Sequence, residues 1–403
     1  MTEPRQREFP WYVVAAVVFA VGMAGTTLPT PLYGLYREEI GFSQFMITMI
    51  FAVYAVGVIV ALLLAGNFSD VIGRRPVIFA ALVLSVLSAL CFLFEDGLPL
   101  LFAGRVFSGF AAGLLSGAAT AAVTELARPD ERARAAFAAT AANMGGLGCG
   151  PLLAGVLAEY APHPLRLPFL VHLGMLAVAM VLVAALPESV HRPVPRPPLR
   201  PEGMVVPQGT RPVFVPAALA SFAGFSVLGL FTATAPSFAA QYLGVDNLAV
   251  AGAIVLAAFL ASTAGQLLNR GGPGRALPLG CAILIVGLVL IGGSLLAESL
   301  GMLVAGAVVA GVGQGMSFRA SVATVARAAP AEQRGATISA LFVTAYVGIS
   351  LPVVGIGALS VPLGLRSAGL VFVGCVIAVA AAVTVRLVRR GDVTTSRSDT
   401  VRR

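Results

Sequence analysis

Gly66-Asn67-Phe68-Ser69-Asp70-Val71-Ile72-Gly73-Arg74-Arg75-Pro76 separates two long apolar runs, and its reading decides the fold. Gly66 either ends the preceding helix or lets a neighbour approach closely, and Gly73 can take the positive-φ conformation of a tight turn. Pro76 suits the first turn of a following helix, where its missing N–H costs nothing. Asp70 can cap a helix N-terminus, while Arg74 and Arg75 stay in water or pair with carboxylates at a membrane face. The stretch therefore reads as a hinge between two membrane helices, with an ordinary positively charged loop as the plainer alternative.

The surrounding composition supports a membrane setting. The 403 residues are 58% hydrophobic and 11% charged, with a mean hydropathy of +0.93, too few charges for a soluble surface of this size. Glycine (45) and proline (26) are scattered through the apolar runs, as close packing and kinking of helices in lipid require. All 26 basic residues are arginine, so a phosphate-gripping P-loop lysine and a Schiff-base lysine are impossible. Cys91, Cys149, Cys281 and Cys375, and His163, His172 and His191, show no ligand spacing, and no metal or cofactor is expected. The first apolar run is too long for a signal peptide and reads as a retained helix.

At about 20 apolar residues per crossing, twelve spans are expected, at 11–33, 44–65, 76–94, 98–122, 135–158, 167–186, 213–240, 248–269, 276–297, 300–325, 336–359 and 367–386. Only Arg37, Arg166 and Arg366 fall in the loops of one face; the other loop arginines fall on the face that holds both termini. That face is expected to be cytoplasmic, in a multi-pass protein of the plasma (inner) membrane. The net charge of +8 is then a matter of topology and gives no reason to invoke nucleic acid. The proline- and arginine-rich stretch 188–212 divides a first six-helix unit (1–187) from a second (213–390), leaving 391–403 as a tail. The halves repeat: one fixed offset pairs Gly104, Gly109, Gly113 and Arg132 with Gly306, Gly311, Gly315 and Arg334. Parallel repeats of this kind build two pseudo-symmetric bundles with a ligand site between them near mid-membrane.

Gly66, Asp70, Gly73, Arg74 and Arg75 match the loop 2–3 signature Gly-x-x-x-Asp-x-x-Gly-Arg-Arg/Lys, and the chain resembles the major facilitator superfamily. Arg105-Val106-Phe107-Ser108-Gly109 resembles its helix 4 signature, with Ser108 where glutamine is usual. Gly146-Leu147-Gly148-Cys149-Gly150-Pro151-Leu152-Leu153-Ala154-Gly155 resembles the helix 5 motif of its drug/proton antiporters, with Ala154 for one glycine. The resemblance implies an all-α membrane protein of twelve helices in two bundles, a cavity lined by spans 1, 4, 7 and 10, and a role for Arg105 in proton coupling.

Physical reasoning leaves several assignments open. Arg105, roughly 10 Å into span 4, either faces a cavity or bonds backbone carbonyls. Arg319 either serves a cavity or snorkels to water. Glu125 can pair with Arg74 or Arg75 and join Asp70 in a latch, or be a solvated surface charge. Pro151 kinks its helix while Gly146, Gly150 and Gly155 admit a neighbour. Thr26, Thr27, Asn143, Phe231, Thr232, Thr234, Gln314 and Tyr346 are candidate cavity residues, each with interhelical packing as its alternative. No carboxylate lies deep in a span, and His172 is a weak candidate for a proton carrier.

The function expected is export of small amphipathic or drug-like molecules by alternating access in exchange for protons, by a monomer drawing on the proton gradient. A proton-coupled uptake symporter is the near alternative, and a non-transporting sensor or scaffold the alternative from another class. No nucleophile or metal motif points to an enzyme. Asp70→Asn should impair transport while leaving membrane insertion intact; transport unchanged in a vesicle assay would remove the latch.

Overall fold

The computed structural model describes residues 9–65, 68–190, 203–268 and 273–400. Gly66, residues 191–202 of the linker and the last three residues lie outside them. The first half comprises α1 (Trp11–Thr27), α2 (Tyr33–Ile40), α3 (Gln44–Ala65), α4 (Phe68–Ile72), α5 (Arg74–Leu93), α6 (Leu98–Glu125), α7 (Arg132–Tyr160) and α8 (Leu167–Ala185). The second comprises α9 (Arg211–Ala233), α10 (Ala235–Leu243), α11 (Leu248–Leu268), α12 (Pro273–Ala297), α13 (Leu300–Ala328) and α14 (Arg334–Thr400). There is no strand among the described residues.

Eleven stretches among the described residues are long and apolar enough to cross a bilayer. The last, Ala331–Arg389, has 59 residues, about three times the rise one hydrocarbon core needs. It turns at Gly364 (φ 78, ψ 157), a conformation that only glycine adopts readily. This single element therefore holds both crossings expected at 336–359 and 367–386.

Two other expected spans are broken. The run 11–33 is not one helix: α1 stops at Thr27 and α2 starts at Tyr33, because Pro29 and Pro31 return no N–H to the preceding turn. The run 213–240 breaks at Thr234, and α10 begins just ahead of Pro236. Both short helices end on a left-handed glycine, Gly41 (φ 81) and Gly244 (φ 61). The repeat thus extends to a shared broken-helix design.

Within the first half α6 packs on α1, α3 and α5; within the second α13 packs on α9, α11 and α12. The repeated glycines explain themselves here. A side chain at Gly109 would strike the α3 backbone at Tyr54 and one at Gly113 the α3 side chain of Ala61, and one at Gly311 or Gly315 would strike the α11 backbone at Ala258 and Ser262. The two halves meet along two seams, α7 on α11 and α3 on α14. At the first seam Gly252 lies against the Pro151 carbonyl and Gly155 against the Leu248 carbonyl. Lipid tails are as apolar as the side chains they replace, so no hydrophobic force drives helices together there, and close backbone packing of this kind holds them instead.

Gly109→Ala, inside one half, should lower the thermal unfolding midpoint by an overpacking cost of about 1–3 kcal/mol. Gly252→Ala, on the seam, should instead wedge the halves apart and raise maleimide labelling of a cysteine placed at Ser237; unaltered labelling would show that this seam does not control access.

Candidate functional site

Between the halves lies a cavity of about 430 Å³. The first half lines it with Thr27, Phe51, Tyr54, Ser116, Thr120, Thr140, Asn143 and Met144, and the second with Phe225, Thr232, Phe259, Gln266, Phe318, Arg319, Phe342 and Tyr346. The wall draws on α3, α7, α11 and α14 as well as α1, α6, α9 and α13. The wall is thus wider than the spans 1, 4, 7 and 10 that the family resemblance favours, and includes the helices of the candidates Asn143 and Tyr346, because the helices at the two seams also present a face to the gap between them.

Of the candidate cavity residues, Thr27, Asn143, Thr232 and Tyr346 stand on the wall, and so does Arg319, for which snorkelling to water was the alternative. Thr27 Oγ1 also donates to the Leu147 carbonyl at 2.7 Å, tying α1 to α7. Four other expected residues lie off the described wall. Phe231 is wholly buried in the core of the second half. Thr234 Oγ1 is satisfied by the Leu230 carbonyl one turn back, 3.0 Å away. Gln314 is buried between helices, its Oε1 accepting from Ser262 Oγ at 2.5 Å. Thr26 turns its hydroxyl to the Met23 carbonyl at 2.7 Å. A polar side chain in an apolar run points to a cavity or to its own backbone with equal ease, so helix phase decides. The aromatic wall was missed for the opposite reason: Phe51, Tyr54, Phe225, Phe259, Phe318 and Phe342 are indistinguishable in sequence from core residues.

Toward the face that bears the termini, the wall reaches Thr120, Thr140 and Gln266, near the ends of their helices. At the other end the halves are joined. Gln44 Nε2 donates to Ser237 Oγ at 3.2 Å while its Oε1 accepts from Arg37 at 3.0 Å. Asn247 Nδ2 donates to the Tyr160 hydroxyl at 3.0 Å, and the Leu248 N–H donates to Glu159 Oε2 at 2.9 Å. The last bond places a carboxylate at the positive end of α11.

Arg105 is fully buried on α6 and stands off the described cavity wall. Its Nε donates to the Tyr33 hydroxyl and its Nη1 to the Thr26 carbonyl. The guanidinium carbon is 5.2 Å from the centre of the Tyr33 ring, 5.8 Å from Phe92 and 5.9 Å from Phe51 and Tyr54. Arg105 thus stitches the broken end of α1 to α6, inside an aromatic cage whose Phe51 and Tyr54 also form the cavity wall. His172 is likewise buried away from the wall, sharing a void of about 10 Å³ with Ser85, Ser88 and Ser108.

The hinge is built around Arg74. Its Nε and Nη2 grip both oxygens of Glu125, at 3.2 and 2.8 Å, and its Nη1 reaches Asp70 at 2.6 Å and Ser69 Oγ at 2.6 Å. Asp70 is 60% exposed and Arg74 only 13%, so the two-pronged bond to Glu125 outweighs the pair with Asp70. Two participants escaped sequence reasoning. Glu188 accepts the backbone N–H groups of Arg74 and Arg75, at 2.8 and 3.2 Å, and caps α5 from a distance; Ser189 Oγ donates to Glu125 at 2.6 Å. Gly73 takes φ 116 against the Glu188 carboxylate. The usable signal was an acid just past span 6 facing a helix start without its own capping side chain. Asp70, Arg74 and Glu125 belong to the first half and Glu188 and Ser189 to the start of the linker, so the cluster braces the first half and fixes the linker's exit from it.

The helix 5 glycines divide their work. Gly146 and Gly150 admit α1, at the Ala20 and Ala24 carbonyls, while Gly155 admits α11.

Arg105→Lys keeps the charge but reaches one partner instead of two. It should cost about 1–3 kcal/mol for the orphaned hydroxyl or carbonyl, read as a lower unfolding midpoint; an unchanged midpoint would mean that Arg105 does not hold the end of α1.

The Major Facilitator Superfamily model matches residues 14–352. The chain is similar to the tetracycline resistance protein, class B, of Escherichia coli, 29% identical over 144 residues, which are 36% of this chain and 35% of that protein. It is also similar to the quinolone resistance protein NorA of Staphylococcus aureus, 24% identical over 159 residues, 40% of this chain and 41% of that one. The matched region spans well under half of either relative. Among solved structures, a POT family transporter in complex with 5-aminolevulinic acid superposes with a TM-score of 0.71 at 14% identity, covering 93% of this chain and 94% of that one. A bacterial homolog of the human lysosomal transporter Spinster, inward-facing and occupied, gives 0.70 at 17% identity, covering 95% and 98%; at such identities the likeness is one of fold. With its paired bundles, its central cavity and a family match over most of its length, the chain belongs to the major facilitator superfamily of membrane transporters.

Proposed function

We propose that the protein exports small amphipathic or drug-like molecules by alternating access, in exchange for protons. The observation that carries this reading is the aromatic-lined cavity between the halves, tied shut at one end and extending toward the other. Arginine placement makes the terminus-bearing face cytoplasmic in the plasma membrane, so the conformation is inward-facing. The tetracycline resistance protein of Escherichia coli and the quinolone resistance protein NorA of Staphylococcus aureus, to which the chain is similar, support the direction, since removing a drug from the cell is one way to resist it. So does the glycine- and proline-rich α7, packed along a seam that must loosen and reform in each cycle. One chain encloses the whole cavity, which suits a monomer, and the proton gradient takes the place of a cofactor.

The test is a ligand-stabilisation screen on purified protein followed by flux of the hit in proteoliposomes under an imposed pH gradient. Flux that follows the gradient, with substrate-induced alkalinisation of everted vesicles, is expected. Accumulation of the hit inside intact cells would favour the uptake symporter, and binding without any flux would favour a sensor or scaffold.

A further inference from the structure

The described wall of the cavity carries positive charge and no negative charge. Among its described lining residues Arg319 is the one charged side chain, and no carboxylate stands on the wall. Arg319 is exposed there, and a single contact, from Nη1 to the Gln266 carbonyl, occupies a guanidinium with five N–H donors. A second cation lies behind the opposite wall: Arg105 sits 5.9 Å from the ring centres of Phe51 and Tyr54. Among the described residues neither arginine has a carboxylate within ion-pair distance. In low-dielectric surroundings, uncompensated charges of one sign focus their field into the cleft. Lying behind the Phe51 and Tyr54 rings, Arg105 repels a second cation placed on their cavity side.

The second-half wall supplies the complement. Tyr346, Phe225 and Phe318 form a chain of edge-to-face rings, with centroids 6.0 and 4.9 Å apart, and Phe318 directly precedes Arg319. A planar apolar body laid on these rings brings a charged group within reach of the free guanidinium donors. We infer that this cavity selects amphipathic organic anions, an aromatic body bearing a carboxylate, sulfonate or phosphate, over lipophilic cations. The inference rests on the carrier reading of the same cavity and narrows its substrate class. The rival role for Arg319 is a staple on the carbonyl end of α11, which needs a donor but no charge.

Binding of two matched probes, 2-naphthalenesulfonate and 2-naphthyltrimethylammonium, to protein in neutral-lipid nanodiscs separates these roles by calorimetry. The sulfonate should bind about tenfold or more tightly than the ammonium, as a charge-assisted contact implies. Arg319→Gln should abolish most of that ratio, Arg319→Lys should retain most of it, and Phe318→Leu should weaken both probes by a similar factor. Thermal unfolding verifies that each variant is folded; if Arg319→Gln is not, loss of the wild-type preference in high salt replaces it as the readout. Equal affinities, a preference for the ammonium, binding of neither probe, or a ratio untouched by Arg319→Gln and by salt each overturns the inference. Flux in proteoliposomes is scored separately. Sulfonate bound but not moved leaves the charge selectivity standing and removes the carrier, whereas the ammonium moved without any anion preference does the reverse.

Discussion

A backbone carbonyl or N–H inside hydrocarbon has no water to turn to, and every such group must find its partner within the protein. This constraint shapes the molecule from its first helix. α1 breaks after 17 residues, about 25 Å along its axis and still within a core of about 30 Å. The break is tolerable because α6 brings Arg105 to the Thr26 carbonyl and the Tyr33 hydroxyl. A guanidinium is unusually suited to this place, since its planar fork bonds two acceptors while its faces rest on aromatic rings. The broken helices α1 and α9 both face the centre of the molecule, where irregular backbone can be covered by protein or line a cavity.

The same constraint explains why so much glycine is spent at helix crossings. Where α3 meets α6, α11 meets α13 and α7 meets α11, the bare backbones touch. The two intra-half crossings occupy equivalent positions in the repeat, so each half is held by the same device. The seam between α7 and α11 uses that device across the halves, which makes it as tight as a bundle interior at one end. Opening that end must break backbone contact along the seam together with the hydrogen bonds of Gln44, Glu159 and Asn247.

The halves are alike in architecture and unlike in chemistry. The first holds the buried Arg105, the buried His172 and the Arg74 cluster, where the hinge, the end of α6 and the exit from α8 are joined through Glu125, Glu188 and Ser189. That cluster ties three elements together at the terminal face of the first half. The second half brings the larger aromatic wall and Arg319, at a position where the repeat in the first half has Gly117. Cavity-facing aromatic surface and structural bracing are therefore divided unequally between two copies of one plan.

The sequence by itself determined the membrane class, the number of crossings, the repeat and the family resemblance, because these rest on hydropathy, charge and spacing, which are linear properties of the chain. It also marked Arg74, Glu125 and the α7 glycines as residues with partners to find. The proline breaks in α1 and α9 were written in the chain too, at Pro29, Pro31 and Pro236, but a hydropathy window runs across them. Tertiary structure alone decided that Thr27, Asn143, Thr232 and Tyr346 face the cavity while Thr26, Phe231, Thr234 and Gln314 do not. A helix that is apolar all round carries no amphipathic stripe to fix its rotation, so its phase is set by its neighbours. Only the folded chain could show that Glu188 caps α5 from 113 positions beyond Arg75, or that Arg105 lies behind the wall and Arg319 upon it.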